Sequence, residues 1–207
     1  MIDVQMRRVV DGPITGLARA VDVHWISPNR LTLIGLVIGL ASAGFAATQL
    51  WIPALIAWLI SRVFDGLDGA LARRRRAGAE PSSEVGGFLD IMADFIVYGA
   101  GVMGVAIGAT AAFDAPWWPF LLVLLAYYLN GTAFLAFSSI AERTGRRIED
   151  GRSLSFLGRI AEGTETIAVH AIWLLIPAHA WQIAVGWAIL VFISAAQRIV
   201  SAVRILR

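Results

Sequence analysis

Six stretches of this 207-residue chain are apolar for about the length of a bilayer crossing, and that constrains its fold more than any other feature. A helix needs about 20 apolar residues to traverse a hydrocarbon layer of about 30 Å. The stretches run over Leu31–Gln49, Trp51–Ala70, Gly87–Phe113, Trp117–Ile140, Ile160–Pro177 and Trp181–Val203. With 58% hydrophobic and only 15% charged residues, the chain is too apolar for an ordinary water-soluble domain. The expected fold is therefore an all-α integral membrane protein with six transmembrane helices, forming one domain over residues 1–207. Arginine is absent from the connections near Gln49, Asp114 and His179, and it recurs in the N-terminal segment, around residues 62–76, over 143–159 and at the C-terminus. Cytoplasmic loops carry such an excess of positive charge, so both termini are expected in the cytoplasm. Trp51, Trp117, Trp118 and Trp181 fall on the opposite rim, as an interfacial aromatic belt does.

The segment before the first span alternates Ile2, Met6, Val9, Val10, Ile14, Leu17 and Val21 with Arg7, Arg8 and Arg19. It predicts an N-terminal amphipathic interfacial helix, a juxtamembrane segment over residues 1–26, and no cleavable signal peptide. Ser27-Pro28-Asn29 then offers a helix-start signal. No cysteine is present, which excludes disulfides, thiolate metal sites and a cysteine nucleophile. His24, His170 and His179 are scattered, so a metal would have to rest on oxygen. No nucleic-acid partner is expected.

Four carboxylates stand out because they lie in or beside apolar helices, where each ionised group costs at least ~2.5 kcal/mol. Asp65 and Asp68 are three residues apart and Asp90 and Asp94 four apart, so each pair shares one face of its helix. If the second and third spans pack with those faces together, the cluster forms an oxygen-rich cage suited to Mg²⁺ or Mn²⁺. Gly66, Gly69 and Gly86 keep bulk away from the same stripes, although glycines in membrane helices also serve close packing. Arg73 is spaced to neutralise a carboxylate or hold a phosphate, while Arg74, Arg75 and Arg76 read as a topology signal and a headgroup contact.

The run Asp65-Gly66-Leu67-Asp68-Gly69-Ala70-Leu71-Ala72-Arg73, followed by Gly86, Asp90 and Asp94 at intervals of four, resembles the signature of the CDP-alcohol phosphotransferase (CDP-alcohol phosphatidyltransferase) family. Gly87-Phe88-Leu89-Asp90 and Glu162-Gly163-Thr164-Glu165-Thr166 look similar to a short bacterial branch of it, and Ser27-Pro28-Asn29-Arg30-Leu31-Thr32 to the opening of its first span. The segment between Arg73 and Gly86 is longer than the family usually has, within a polar loop that tolerates insertion.

The resemblance implies transfer of a phosphatidyl group from CDP-diacylglycerol to a small alcohol acceptor with release of CMP, a step of phospholipid biosynthesis, at the inner (cytoplasmic) membrane of a bacterium. It implies two Mg²⁺ or Mn²⁺ ions per active site on Asp65, Asp68, Asp90 and Asp94, with Asp94 also the general base. Gly69, Ala72, Arg73 and Gly86 would surround the CDP moiety, and the working unit would be a homodimer. The acceptor is left open among glycerol phosphate, serine, inositol phosphate and similar alcohols. Arg143, Arg152, Arg159 and Glu162 are candidates for its pocket. Phe95 stands where glycerophosphate-using and inositol-phosphate-using relatives tend to have a basic residue. Two rival readings are an intramembrane prenyltransferase, which also binds diphosphate through aspartates, and a non-enzymatic cation transporter. The Asp-Gly-x-x-Ala-Arg continuation speaks against the first, and clustering of the acids at one edge against the second.

Overall fold

Helix α1 (Pro28–Ala47) starts where the Ser27 side chain accepts a hydrogen bond from the Arg30 amide at 3.3 Å, with Pro28 in the first turn. The computed structural model describes residues 12, 14–23, 25–77, 84–144 and 163–207. After α1 come α2 (Trp51–Ala77), α3 (Glu84–Phe113), α4 (Trp118–Thr144), α5 (Gly163–Leu175), a 3₁₀ turn (Pro177–His179) and α6 (Ala180–Leu206). Among the described residues there is no strand. Gln49 and Asp114, both with positive φ (64° and 53°), lie in the short links that follow α1 and α3.

Four of these helices, and not six, are long and apolar enough to cross a membrane: Pro28–Ala47, Val85–Phe113, Trp118–Thr144 and the run Pro177–Leu206. The expectation of six transmembrane helices is corrected at α2 and α5. Helix α2 has the length, but a stretch of 18 residues beginning at Trp51 already includes Arg62, Asp65 and Asp68. Helix α5 has 13 residues, a rise of about 20 Å against a core of about 30 Å. The apolar outer surface fits a lipid environment: Val37, Met103 and Leu121 are each more than half exposed.

Helix α1 packs closely against both α2 and α3, while α2 and α3 meet each other through long side chains, among them Trp58 against Tyr98. Small residues explain the close approach. A side chain at Gly104 or Gly108 of α3 would run into the carbonyl oxygens of Ala43 and Ala46 of α1. Likewise a methyl at Gly39 would come within 2.6 Å of Val97 and 2.9 Å of the Ser61 hydroxyl. Hydroxyls tie the same helices together, with Ser61 Oγ donating to the Gly35 carbonyl at 2.7 Å and Ser42 Oγ to the Ala54 carbonyl at 2.8 Å. In the other half α4 packs on α6, where Phe120, Val123, Ala126, Ala184, Trp187 and Val191 are buried in the main core.

Residues 14–20 are helical and dock on α1 and α2 through Ala18, which is buried, and Ile14, which packs beside Leu31, Leu67 and Leu71. Residues 1–11, 13 and 24 of the expected amphipathic segment lie outside the described residues. Arg74 Nε and Arg75 Nε donate to the two oxygens of Asp22 at 2.7 and 3.1 Å, and Arg75 also donates to the carbonyls of Val23 and Ile26. These two arginines therefore clamp the entering chain to the end of α2, a role the sequence reading did not give them. The hydrogen bond from Arg74, then that from Arg75, holds the Asp22 carboxyl below the usual range.

Candidate active site

On α2 the residues Trp58, Ser61, Arg62, Asp65, Asp68, Gly69, Ala72 and Arg73 recur at intervals of three and four, or stand next to one another, and so make one stripe. On α3 the matching stripe is Asp90, Asp94, Val97, Tyr98 and Gly101. These stripes face a shared space that side chains bridge, Arg62 reaching Asp94 and Trp58 reaching Tyr98. Asp94 and Asp65 both reach the same guanidinium, that of Arg62, and Asp90 and Asp68 stand one helical turn away on the two stripes. The four acids differ in surroundings. Asp68 is buried and accepts a hydrogen bond from the Thr32 hydroxyl of α1, Asp65 and Asp94 are half-buried, and Asp90 is exposed.

The bridge itself is Arg62. Its Nη1 donates to Asp94 Oδ1 at 2.8 Å and lies 3.9 Å from Asp65 Oδ1, while Nη2 donates to Ser61 Oγ at 3.0 Å. The guanidinium carbon is 5.1 Å from the ring centres of both Trp58 and Tyr98, which places the cation against two aromatic faces. Behind those rings is the buried His170 of α5, stacked on Trp58 at 4.6 Å, and Gly101 leaves the room its imidazole needs. Trp187 donates to the Tyr127 hydroxyl at 2.7 Å, and that hydroxyl is 3.1 Å from His170 Nε2. Arg62 thus rests on a floor of interlocked rings from five helices.

Of the residues expected around a CDP moiety, Gly69, Ala72 and Arg73 lie on the α2 stripe, and a methyl at Gly69 would meet the Arg73 guanidinium at 3.2 Å. The charge of Arg73 reaches Asp90 on the opposite stripe. Gly86 is half-buried in the first turn of α3. Arg143 is exposed near the end of α4, and Arg152, Arg159 and Glu162 lie outside the described residues. On the adjoining face of α2, Phe64 and Leu67 line an apolar cavity of about 440 Å³ together with Leu17, Trp25 and Arg30. Sequence reading missed Arg62, Thr32, Tyr98 and His170 as parts of this site. Arg62 had a usable signal, being a charge inside an apolar run three residues before Asp65.

Carboxylate oxygens are hard donors of the kind that suit Mg²⁺ or Mn²⁺. Among the described residues, however, no three acidic or histidine side chains converge as a candidate cation site.

The sequence profile of CDP-alcohol phosphatidyltransferases matches residues 25–196, from the start of α1 almost to the end of α6. The chain belongs to the CDP-alcohol phosphatidyltransferase family. As a member it transfers a phosphatidyl group from CDP-diacylglycerol to a hydroxyl acceptor. It is 35% identical over 184 residues to the inner membrane protein YnjF of Escherichia coli (strain K12), covering 86% of this chain and 84% of that one. It is 32% identical over 149 residues to an archaetidylinositol phosphate synthase of Pyrococcus horikoshii, covering 70% and 77%. Its fold matches the phosphatidylinositol phosphate synthase of Mycobacterium tuberculosis with CDP-DAG bound, at a TM-score of 0.71 and 19% identity, over 91% of this phosphatidyltransferase and 92% of that chain. A second structure of the same synthase, in complex with manganese and citrate, matches at a TM-score of 0.70 with 20% identity, over 91% and 88%.

Proposed function

We propose that the facing stripes of α2 and α3 are the transfer centre of this phosphatidyltransferase, with Asp65, Asp68 and Asp90 as metal ligands and Asp94 completing the set as general base. The observation that carries this reading is that Arg62 bridges the two stripes, reaching Asp94 of α3 at 2.8 Å and Asp65 of α2 at 3.9 Å, with Asp90 and Asp68 one helical turn away. Their hard oxygens and excess negative charge suit Mg²⁺ or Mn²⁺, and two ions per site match four acids facing a pyrophosphate. The manganese complex of the tuberculosis synthase supports the same choice of metal. Bound there, the metal supplies screening of the pyrophosphate and stabilisation of departing CMP.

The chain's own groups do the rest. Gly69, Ala72 and Gly86 leave room for the CDP moiety, and Arg73 lies alongside them as a partner for its phosphates. Arg62 engages Oδ1 of Asp94, so Oδ2 is the atom that takes the proton from the acceptor hydroxyl. The acceptor oxygen attacks the lipid-side phosphorus, the bridging P–O bond breaks, and CMP departs with those electrons. Positive-inside charge supports an orientation with this centre and both termini on the cytoplasmic side, and the relation to YnjF supports the bacterial inner membrane. Residues 1–207 act as a single domain with 1–26 as its juxtamembrane part. We read the working unit as a homodimer; a monomeric mass in native lipid would refute that.

The test is CMP release from CDP-diacylglycerol with Mn²⁺ across a panel of hydroxyl acceptors, the phosphorylated polyols among them. Asp68→Asn is expected to abolish release by at least about a hundredfold, as loss of an interaction with developing charge does. Asp94→Asn should still bind the CDP-lipid and turn over slowly. Full turnover in either variant removes the role assigned to that carboxylate.

A further inference from the structure

We propose that Arg62 is a positioning residue of this centre: a resident cation that holds the Asp94 carboxylate for proton transfer and competes with the divalent metal for the acidic cluster. The inference rests on the metal reading given above. It starts from how Arg62 is held at its two terminal nitrogens, its Nε being buried without a hydrogen-bond partner among the described residues. The residue is buried at 8% exposure, its two terminal nitrogens donate to Asp94 and Ser61, and Trp58 and Tyr98 present ring faces to its carbon. Ser61 is itself fixed by donation to the Gly35 carbonyl. A flexible counter-ion would need none of this support.

Two consequences have opposite signs, and that makes the idea testable. A positive charge 2.8 Å from Asp94 and 3.9 Å from Asp65 repels any second cation at those carboxylates, so the guanidinium weakens metal binding. The same contact fixes the direction of Asp94, and a misplaced base costs rate without costing substrate affinity. A residue that only supported the fold would, when removed, weaken metal binding and turnover together.

The experiment measures Mn²⁺ affinity from the free-ion EPR signal, and kcat and KM from CMP release, on full-length protein in lipid nanodiscs. Arg62→Met keeps the length of the side chain and removes the charge. It is expected to bind Mn²⁺ at least about tenfold more tightly, since a nearby unit charge is gone. It should also turn over about a hundredfold more slowly with KM for CDP-diacylglycerol changed less than about threefold. Arg62→Lys restores the buried charge and should bring Mn²⁺ affinity back to the wild-type value, while turnover recovers only in part because the forked geometry is lost. Mn²⁺ affinity unchanged or weaker in a folded Arg62→Met overturns the proposal, and so does a failure of Arg62→Lys to reverse it. If Arg62→Met does not fold, the Arg62→Lys kinetics decide: turnover equal to wild type overturns the positioning role. Asp68→Asn separates the two readings, because loss of Mn²⁺ binding there keeps the metal site even when the Arg62 variants refute the role proposed for the arginine.

Discussion

Arginine meets aspartate at two levels of this molecule, and the two meetings have different physics. At the rim, Arg74 and Arg75 grip Asp22 with side chains that are 47% and 22% exposed. Within the bundle, Arg62 grips Asp94 with a side chain that is 6% exposed and backed by two rings. Water and salt reach the first contact and weaken it, as they do most surface ion pairs. The second is shielded on its arginine side, and removing the carboxylate there would strand a cation in a medium that solvates it poorly. The rim pair joins two pieces of chain; the inner pair joins two faces of a reaction centre.

The contrast is broken most forcefully at Arg62. Arg62→Ala leaves Asp94 without its partner and is expected to lower stability by about 2–3 kcal/mol, less than a fully buried pair because the Asp94 side chain is 37% exposed. Reversible unfolding in mixed detergent measures it, and a loss under ~0.5 kcal/mol would place the inner pair with ordinary surface pairs. Next in size is Thr32→Val, which removes the hydroxyl that donates to the buried Asp68 and should cost about 1–2 kcal/mol in the same assay.

The smallest effect belongs to Asp22. Its folded-state value is lowered by the hydrogen bonds from Arg74 and Arg75, so the unfolded chain binds protons more readily than the folded one. The stabilisation is complete above an unfolded value of about 4 and is lost as pH falls through the lowered folded value. Asp22→Asn should flatten this acid limb of the stability profile, and added salt should flatten it in the wild type too. An acid limb that ignores both changes would mean the clamp has no energetic weight.

Much of this was legible in the sequence because membrane burial makes certain residues conspicuous. Asp65, Asp68, Asp90 and Asp94 stood out as charges in apolar runs, and spacing alone put each pair on one helix face. The same rule applied to Arg62 would have found it, but the arginine count was absorbed into the topology argument. Six spans were expected because hydropathy windows average over Arg62, Asp65 and Asp68 in α2, and because length was assigned to α5 that its 13 helical residues do not have. The packing of α1 on both acid-bearing helices was not readable, since Gly35, Gly39, Gly104 and Gly108 reveal close packing without naming the partner. Arg74 and Arg75 looked like generic rim charge because their partner, Asp22, is 52 and 53 residues away.

Helix α1 faces its neighbours largely with hydrogen atoms and single methyl groups, at Gly35, Gly39, Ala43 and Ala46. At those four positions there are no rotamers to change. How near each acid-bearing helix comes to α1 is therefore gauged there by a bare peptide rod, and a tolerance that elsewhere depends on side-chain packing is built from the main chain itself.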